Sequence, residues 1–316
     1  MNSVLMVSII YAFLLSQQFY LVNCSISLTY LEQPVYDDEE NIKFFPRIVG
    51  GKKAREGEVR SIVSLQTYKG DHVCGATWFQ DGNQSHILTA AHCVVENGEY
   101  RPSYLFRVMG DDLSISKKFP GPNRQIRKVR RIIVHRFYNG KNLLNDIAMI
   151  FLAKPFIQTN TFAPIKLTSE NVYDYKPCVI AGWGRLQDSS NAPPSIHLMV
   201  ANVSVIPQRI CNGSNSYNGN VSKNAFCAGS TKGGESVDSC QGDSGGGIFS
   251  NNSLIGIVSF GQGCALKNFP GVYTNVYKYK GWIRETAISS SVFIQPNMVM
   301  LATICSAMLA KLFFFV

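Results

Sequence analysis

Apolar residues in the middle of the chain come in short runs, parted by turn-forming residues. Ser61-Ile62-Val63-Ser64-Leu65, Ile132-Ile133-Val134-His135, Ile147-Ala148-Met149-Ile150-Phe151-Leu152, Cys178-Val179-Ile180-Ala181 and Leu254-Ile255-Gly256-Ile257-Val258-Ser259-Phe260 are typical. Each is rich in β-branched or bulky residues and bounded by Gly, Asn, Pro or Asp, as strands are. No long amphipathic helix is visible between residues 49 and 282. The pattern predicts an all-β sandwich or barrel, closed by a helical turn or two over residues 277–287.

The two ends read differently. Residues 4–15 are apolar, short for a spanning helix and without a basic flank. They fit a signal peptide cut after Cys24, with Val22 and Cys24 flanking the last position but one; an N-terminal membrane anchor is the alternative. Residues 25–47 are polar, carry the acidic run Asp37-Asp38-Glu39-Glu40, and read as an extended solvated segment. At the other end, Ser289-Ser290-Ser291 leads through a short spacer to residues 298–316, apolar but for Lys311 and a few small polar residues. Small residues, a spacer and a terminal apolar run resemble a GPI-attachment signal; a retained spanning helix is the alternative. The expected divisions are a signal peptide (1–24), an activation segment (25–47), a folded domain (48–288) and a membrane-attaching tail (289–316).

Composition narrows the setting. At 316 residues, 16% charged and 46% apolar, the chain affords a sizeable core and is not of disordered type. Nine cysteines behind an apolar leader point to the secretory pathway and an extracellular site. Cell-surface attachment through the tail is expected, with full secretion the alternative. The formal charge of +9 favours anionic partners, but nucleic acid does not suit that location. Lys117, Lys118, Arg124, Arg127, Lys128, Arg130 and Arg131 form a basic run suited to an acidic polysaccharide; a solvated basic face is the plainer reading. Asn83, Asn202, Asn212, Asn220 and Asn251 each begin Asn-x-Ser and are candidate glycan sites. The chain has no CxxC pair, no metal-spaced His/Cys cluster and no phosphate-cradling glycine loop, so no cofactor and no metal are expected.

Three stretches carry chemistry. Leu88-Thr89-Ala90-Ala91-His92-Cys93 places a histidine beside a cysteine. Asn145-Asp146-Ile147-Ala148 opens an apolar strand with an acid, whose burial is costly without hydrogen-bond partners. Asp238-Ser239-Cys240-Gln241-Gly242-Asp243-Ser244-Gly245-Gly246 sets a serine in a glycine-rich turn, where backbone N–H groups can approach a reacting atom. Each has a bland reading: a core histidine near a disulfide, a turn-capping aspartate, a surface loop. Together they supply a nucleophile, a base and an acid that orients the base.

With Ile48-Val49-Gly50-Gly51, Gly182-Trp183-Gly184 and Ser259-Phe260-Gly261 added, the motifs stand in the order of one family. The chain resembles a chymotrypsin-fold (trypsin-like) serine protease over residues 48–285. The resemblance implies two six-stranded antiparallel β-barrels packed face to face, with a short C-terminal helix. It implies Ser244 as nucleophile, His92 as base and then acid, and Asp146 as the group that orients His92. These roles are the family's own and are carried over by motif. It implies an oxyanion hole from the Gly242 and Ser244 N–H groups. Cleavage after Arg47 would free the ammonium of Ile48 to pair with Asp243. Asp238 would be the floor of the primary pocket, with Ser239 beside it and Gly261 and Gly271 as its walls, favouring Arg or Lys. Ser259 and Gly261 would offer backbone groups to the substrate strand. Protein substrates and serine protease inhibitors are the implied partners.

Disulfides Cys74–Cys93, Cys211–Cys227 and Cys240–Cys264 are implied in the same way. Several positions depart from the family. Ser250 stands where the usual partner of Cys178 would be, which leaves Cys178 a free buried thiol or paired with Cys24. Gly247 replaces a common proline, and residues 233–237 lengthen a pocket loop. In the family's calcium loop Asp111 and Asp112 remain, but Lys117 and Lys118 oppose a cation. The competing class is a catalytically dead homologue used for binding; the presence of His92, Asp146 and Ser244 favours an active enzyme.

Overall fold

The computed structural model describes residues 51–82, 84–185, 193–230, 237–266 and 268–292. All lie in the unit Phe45–Val316. The expected signal and activation segments, Arg47, Ile48, Asn83, residues 233–236 of the lengthened loop and the tail beyond 292 fall outside the described residues.

Chain order begins with a two-residue edge piece, β1 (Lys52–Lys53), followed by β2 (Ile62–Thr67), β3 (His72–Asp81) and β4 (Gln84–Thr89). A small hairpin, β5 (Val95–Glu96) with β6 (Glu99–Tyr100), precedes β7 (Phe106–Gly110), β8 (Gln125–Val134) and β9 (Ala148–Leu152). After β10 (Ile165–Leu167) come β11 (Pro177–Gly182), β12 (Met199–Ile206), the short helix α1 (Gln208–Cys211) and β13 (Ala225–Gly229). The chain then forms β14 (Gly247–Ser250), β15 (Ser253–Phe260), β16 (Gly271–Asn275) and α2 (Lys280–Val292).

Two six-stranded antiparallel rings result. In the first, β3-β2-β7-β8-β9-β4 closes through the β3–β4 pairing; in the second, β14-β11-β12-β13-β16-β15 closes through β14–β15. Closure leaves the barrels without a free edge. β10 pairs in parallel with both β3 and β15 and ties the rings together. The main core draws on both, joining Trp78, Phe79, Leu88 and Met149 of the first to Trp183, Val200 and Ile257 of the second. Trp183 is fully buried and its indole N–H donates to Leu113 O at 3.0 Å, so its one polar atom is satisfied.

Local sequence accounts for the joints. Ser250 and Ser253 pair across Asn251 and Asn252, both at positive φ, the two-residue turn that matches the twist of a hairpin. A Cβ on Gly247 would lie 2.4 Å from the Phe249 ring and 2.6 Å from Thr77 Oγ1, so the ring of Phe249 takes the space a larger residue needs. The closing helix is longer than residues 277–287. A 3-10 turn over Val276–Tyr279 is capped by Asn275, whose side chain accepts from Tyr277 N–H, and α2 follows. Ile283 and Ala287, one turn apart, anchor α2 to the core. Burying a side chain such as Ile283 is worth ~1.5–3 kcal/mol.

Candidate active site

His92 sits where the barrel strand β4 gives way to a 3-10 turn, Ala91–Cys93. The Cys74–Cys93 disulfide pins that turn to β3. Asp146 lies just ahead of β9 with no solvent exposure. Its neighbour Asn145 takes a positive φ of 54°, and the Asn145 side chain is held by Tyr279 and by Phe137 O. Asp146 Oδ1 accepts the His92 backbone N–H at 3.0 Å, and Oδ2 accepts His92 Nδ1–H at 2.8 Å and the Ser259 hydroxyl at 2.6 Å. A carboxylate only accepts, so Nδ1 carries the imidazole proton and Nε2 is left as the base. Three donors on one buried carboxylate also offset the cost of its charge.

Ser244 is carried on a loop that needs its glycines. Gly242 and Gly245 have φ of 97° and 79°, values open to glycine at little cost. A Cβ on Gly245 would lie 2.1 Å from Thr89 Oγ1 and 2.5 Å from Gly75 O, so the loop presses against the segment leading to His92. Gly75 N–H donates to Ser244 O at 2.8 Å. The structure thus brings His92 and Asp146 into contact and sets half-buried Ser244 in the adjoining loop. Among the described residues no hydrogen bond runs from its hydroxyl to His92; such bonds are often long without substrate. The N–H groups of Gly242 and Ser244 likewise have no acceptor among the described residues, so both are available to an oxyanion.

Asp238 is 2% exposed. Its Oδ1 accepts from Ser239 N–H at 2.7 Å and Gly271 N–H at 3.2 Å, while Oδ2 is buried with no partner among the described residues. Burial pushes its pKa up to about 7, against the pull of nearby backbone N–H groups. A Cβ on Gly271 would come within 2.4 Å of Asp238 Oδ1, so only glycine keeps that wall open. One on Gly261 would meet only Gly263 O at 3.3 Å and Gly271 Cα at 4.0 Å. The Ser239 hydroxyl lies between Asp238 and Tyr273 OH. Cys240–Cys264 and Cys211–Cys227 are both bonded.

A model of the trypsin family matches residues 48–283. Trypsin-3 of Salmo salar is 35% identical over 254 residues, 80% of this chain and 96% of that protein. Trypsin of Sus scrofa is 35% identical over 240 residues (76% and 95%), and serine protease 1 of Homo sapiens 34% over 256 (81% and 93%). The chain belongs to the trypsin family. It is a serine endopeptidase of the chymotrypsin fold, and proteins are its substrates and its inhibitors.

Other trypsin-family motifs acquire physical reasons. Asp243 is 1% exposed and accepts from Gly184 N–H at 2.7 Å and Cys240 N–H at 2.9 Å. Burial pushes its pKa up to about 6. A Cβ on Gly182 or Gly184 would strike its carboxylate, which is why glycines flank Trp183.

Sequence reading missed several supports. The Ser259 side chain, and not only its backbone, belongs to the site through Asp146. Thr274 Oγ1 donates to Asp146 O at 2.8 Å. Half-buried His72 joins Ser64 Oγ (2.8 Å) to Gly242 O (2.9 Å). The carbonyl can only accept, so Nε2–H donates to it, and burial keeps the ring neutral by lowering its pKa. No motif marks these residues; only the β2–β3 pairing brings Ser64 near His72.

The departures from the family also resolve. Cys178 is buried and free, its thiol donates to Lys176 O, and burial pushes its pKa up to about 11. In the supposed calcium loop, Arg124 is the internal cation. Its guanidinium meets Asp112 at 2.6 Å and Ser114 O and Ser116 O at 2.7 Å each. Arg124 therefore leaves the surface basic run to which its sequence neighbours assigned it, being 8% exposed. Lys117, expected to repel a cation from within, faces outward to Asp71. Of the glycan candidates, Asn202, Asn220 and Asn251 are exposed, whereas the Asn212 amide is bonded on both sides to Val221.

Proposed function

We propose that the chain is a zymogen, activated by cleavage after Arg47, whose mature form cuts peptide bonds after Arg or Lys. The observation that carries the specificity is the buried Oδ2 of Asp238, without a partner among the described residues, behind the glycine wall of Gly271. An unpaired buried carboxylate oxygen is costly, and a guanidinium or ammonium from the substrate supplies what it lacks. In this reading Ser244 Oγ attacks the carbonyl as His92 Nε2 takes its proton. Asp146 stabilises the imidazolium, and the Gly242 and Ser244 N–H groups hold the oxyanion. His92 then protonates the leaving amine, and water repeats the sequence on the acyl-enzyme. Activation rests on Asp243, a buried carboxylate with two N–H donors and no cation beside it among the described residues. The Ile48 ammonium is the counter-ion that cleavage would release.

The proposed divisions are 1–24 for export, 25–47 for activation, 48–288 for catalysis and 289–316 for attachment to the cell surface. No helix among the described residues is long and apolar enough to cross a membrane, so attachment rests on the tail sequence. Release of the protein from cells by a phosphatidylinositol-specific phospholipase tests the lipid-anchor form of it.

The decisive test is to cut the purified chain after Arg47 and offer peptides varied at the residue before the cleaved bond. Arg and Lys should dominate, Ser244→Ala should lower turnover about 10⁴-fold or more, and Asp238→Ser should remove the preference. Absence of an Arg/Lys preference, or activity surviving in Ser244→Ala, overturns the reading.

A further inference from the structure

A cleft of about 410 Å³ opens beside the turn that carries His92. Val94 lines it, two residues beyond His92, so its Cα is at most about 7.6 Å from that of the histidine. One wall is the end of the β5–β6 hairpin and the segment after it, with exposed Tyr100 and half-buried Arg101 and Ser103; the other is the end of β8, with Arg130 and Arg131. Aliphatic residues 132–134 line the cleft between them.

The strand is specially shaped here. β8 pairs Val129 with Leu152 but Arg131 with Phe151, leaving Arg130 as the extra residue of a bulge. In a regular strand successive side chains take opposite faces; at a bulge they are re-aimed. Arg130 and Arg131 are accordingly both exposed, although consecutive. The Ser103 hydroxyl donates to Arg130 O and fastens the hairpin side to the bulge. Across the cleft Arg101 is held in place: its N–H donates to Val94 O at 2.9 Å, its guanidinium lies 5.0 Å over the Phe106 ring, and its Nε meets Glu96 at 3.5 Å. Preset cations lose little freedom on meeting an anion.

We propose that this cleft is a second substrate-binding site, which takes an acidic segment of the polypeptide being cleaved. The proposal rests on the chain being an active endopeptidase. The lining residues include three arginines, of which Arg101 is partly offset by Glu96, and no acid, and the aliphatic strip suits a peptide, which brings apolar as well as charged groups. A sulfated polysaccharide brings charge alone and needs an open cationic track. That track is broken, because Arg124 is buried against Asp112 and Lys117 is paired with Asp71. Bound there, the segment would lie several residues from the cleaved bond, since an extended chain advances about 3.3–3.6 Å per residue. Sequences with Asp or Glu near a basic cleavage position would then be favoured over neutral ones.

The test compares paired peptides, identical at the cleaved bond, with Asp-Glu or Ser-Gln segments placed on either side of it. A small arginine amide serves as the control for chemistry. The cleaved full-length chain should prefer one acidic peptide about fivefold or more in kcat/KM, and the preference should fade with added salt. Arg130→Gln/Arg131→Gln should abolish it while leaving the small amide unaffected. Both side chains are exposed, so the variant should fold; Arg130→Gln alone is the fallback, with a melting curve as the check. No preference in the parent chain, or a preference retained in the variant, overturns the proposal. So does a variant that loses heparin binding while still preferring acidic peptides. If the small amide is not cleaved, the endopeptidase reading fails instead. Direct binding of the acidic peptide to Ser244→Ala then decides the cleft separately, tighter binding than to Arg130→Gln/Arg131→Gln supporting it and equal binding overturning it.

Discussion

At the scale of single residues, the carboxylates of the site divide by what surrounds them. Asp146 meets a histidine, a backbone N–H and a hydroxyl. Asp238 and Asp243 meet only N–H groups and one distant hydroxyl, and burial raises both, to about 7 and about 6. A raised carboxyl pKa means that the fold holds the proton more tightly than the unfolded chain, whose value is near 3.8. The contribution of Asp238 to stability therefore falls as pH rises from about 4 to about 7. A bound cation reverses this, because it pairs with the ionised form alone. Affinity for a small aryl-amidinium should rise steadily from pH 5 and level off above about 7, by up to roughly tenfold per unit below that point. Calorimetric titration across this range checks it, and Asp238→Asn should bind weakly at every pH. A flat profile in the parent protein would sink the assignment.

At the scale of elements, the clearest departure lies between β11 and β14. Val179 pairs with Phe249 and Ile180 with Ile248, so the register carries Cys178 opposite Ser250. The Ser250 hydroxyl instead donates to Pro177 O at 2.8 Å. This joint of the second barrel rests on hydrogen bonds and packing where its relatives' pattern places a covalent link. Ser250→Cys should oxidise with Cys178 and raise stability by ~2–4 kcal/mol, since the bridge closes a long loop of the unfolded chain. A higher melting temperature than the parent's under oxidising conditions, with one thiol fewer than the parent to label after denaturation, is the expected result. A free pair of thiols would show that the strands do not meet in this register. The sequence made the missing partner visible because the pattern names a cysteine there. The Arg124 device was not visible: a guanidinium turned into its own loop looks, in sequence, like one more member of a basic run. Short pieces such as β1, β5 and β6 were also hidden, because two residues cannot show an alternation.

At the scale of the molecule, both barrels were legible as strands, and motifs alone supplied their closure and pairing. Local pattern cannot say that β10 joins both rings, nor that Ser259 and Thr274, on neighbouring strands, converge on Asp146. The proposed activation device belongs to this scale, since it would link a cut at Arg47 to a loop almost two hundred residues away. In the uncut chain Asp243 is buried without a cation among the described residues, and its raised pKa makes ionisation costly as pH climbs from about 4 to about 6. Pairing with the Ile48 ammonium would lower that pKa, so the cost disappears in the cut form. The melting temperature of the cut chain should therefore gain on the uncut one between about pH 4 and pH 6 and hold its lead through neutrality. The lead should shrink above about pH 8, where an α-amino group loses its proton. Below pH 4 the two forms should converge, because a neutral carboxyl gains nothing from an ammonium. Asp243→Asn removes the titrating group, so its cut and uncut forms should differ by the same amount at every pH. Parallel curves for the parent protein would instead mean that Ile48 does not reach Asp243, and that activation works through some other contact.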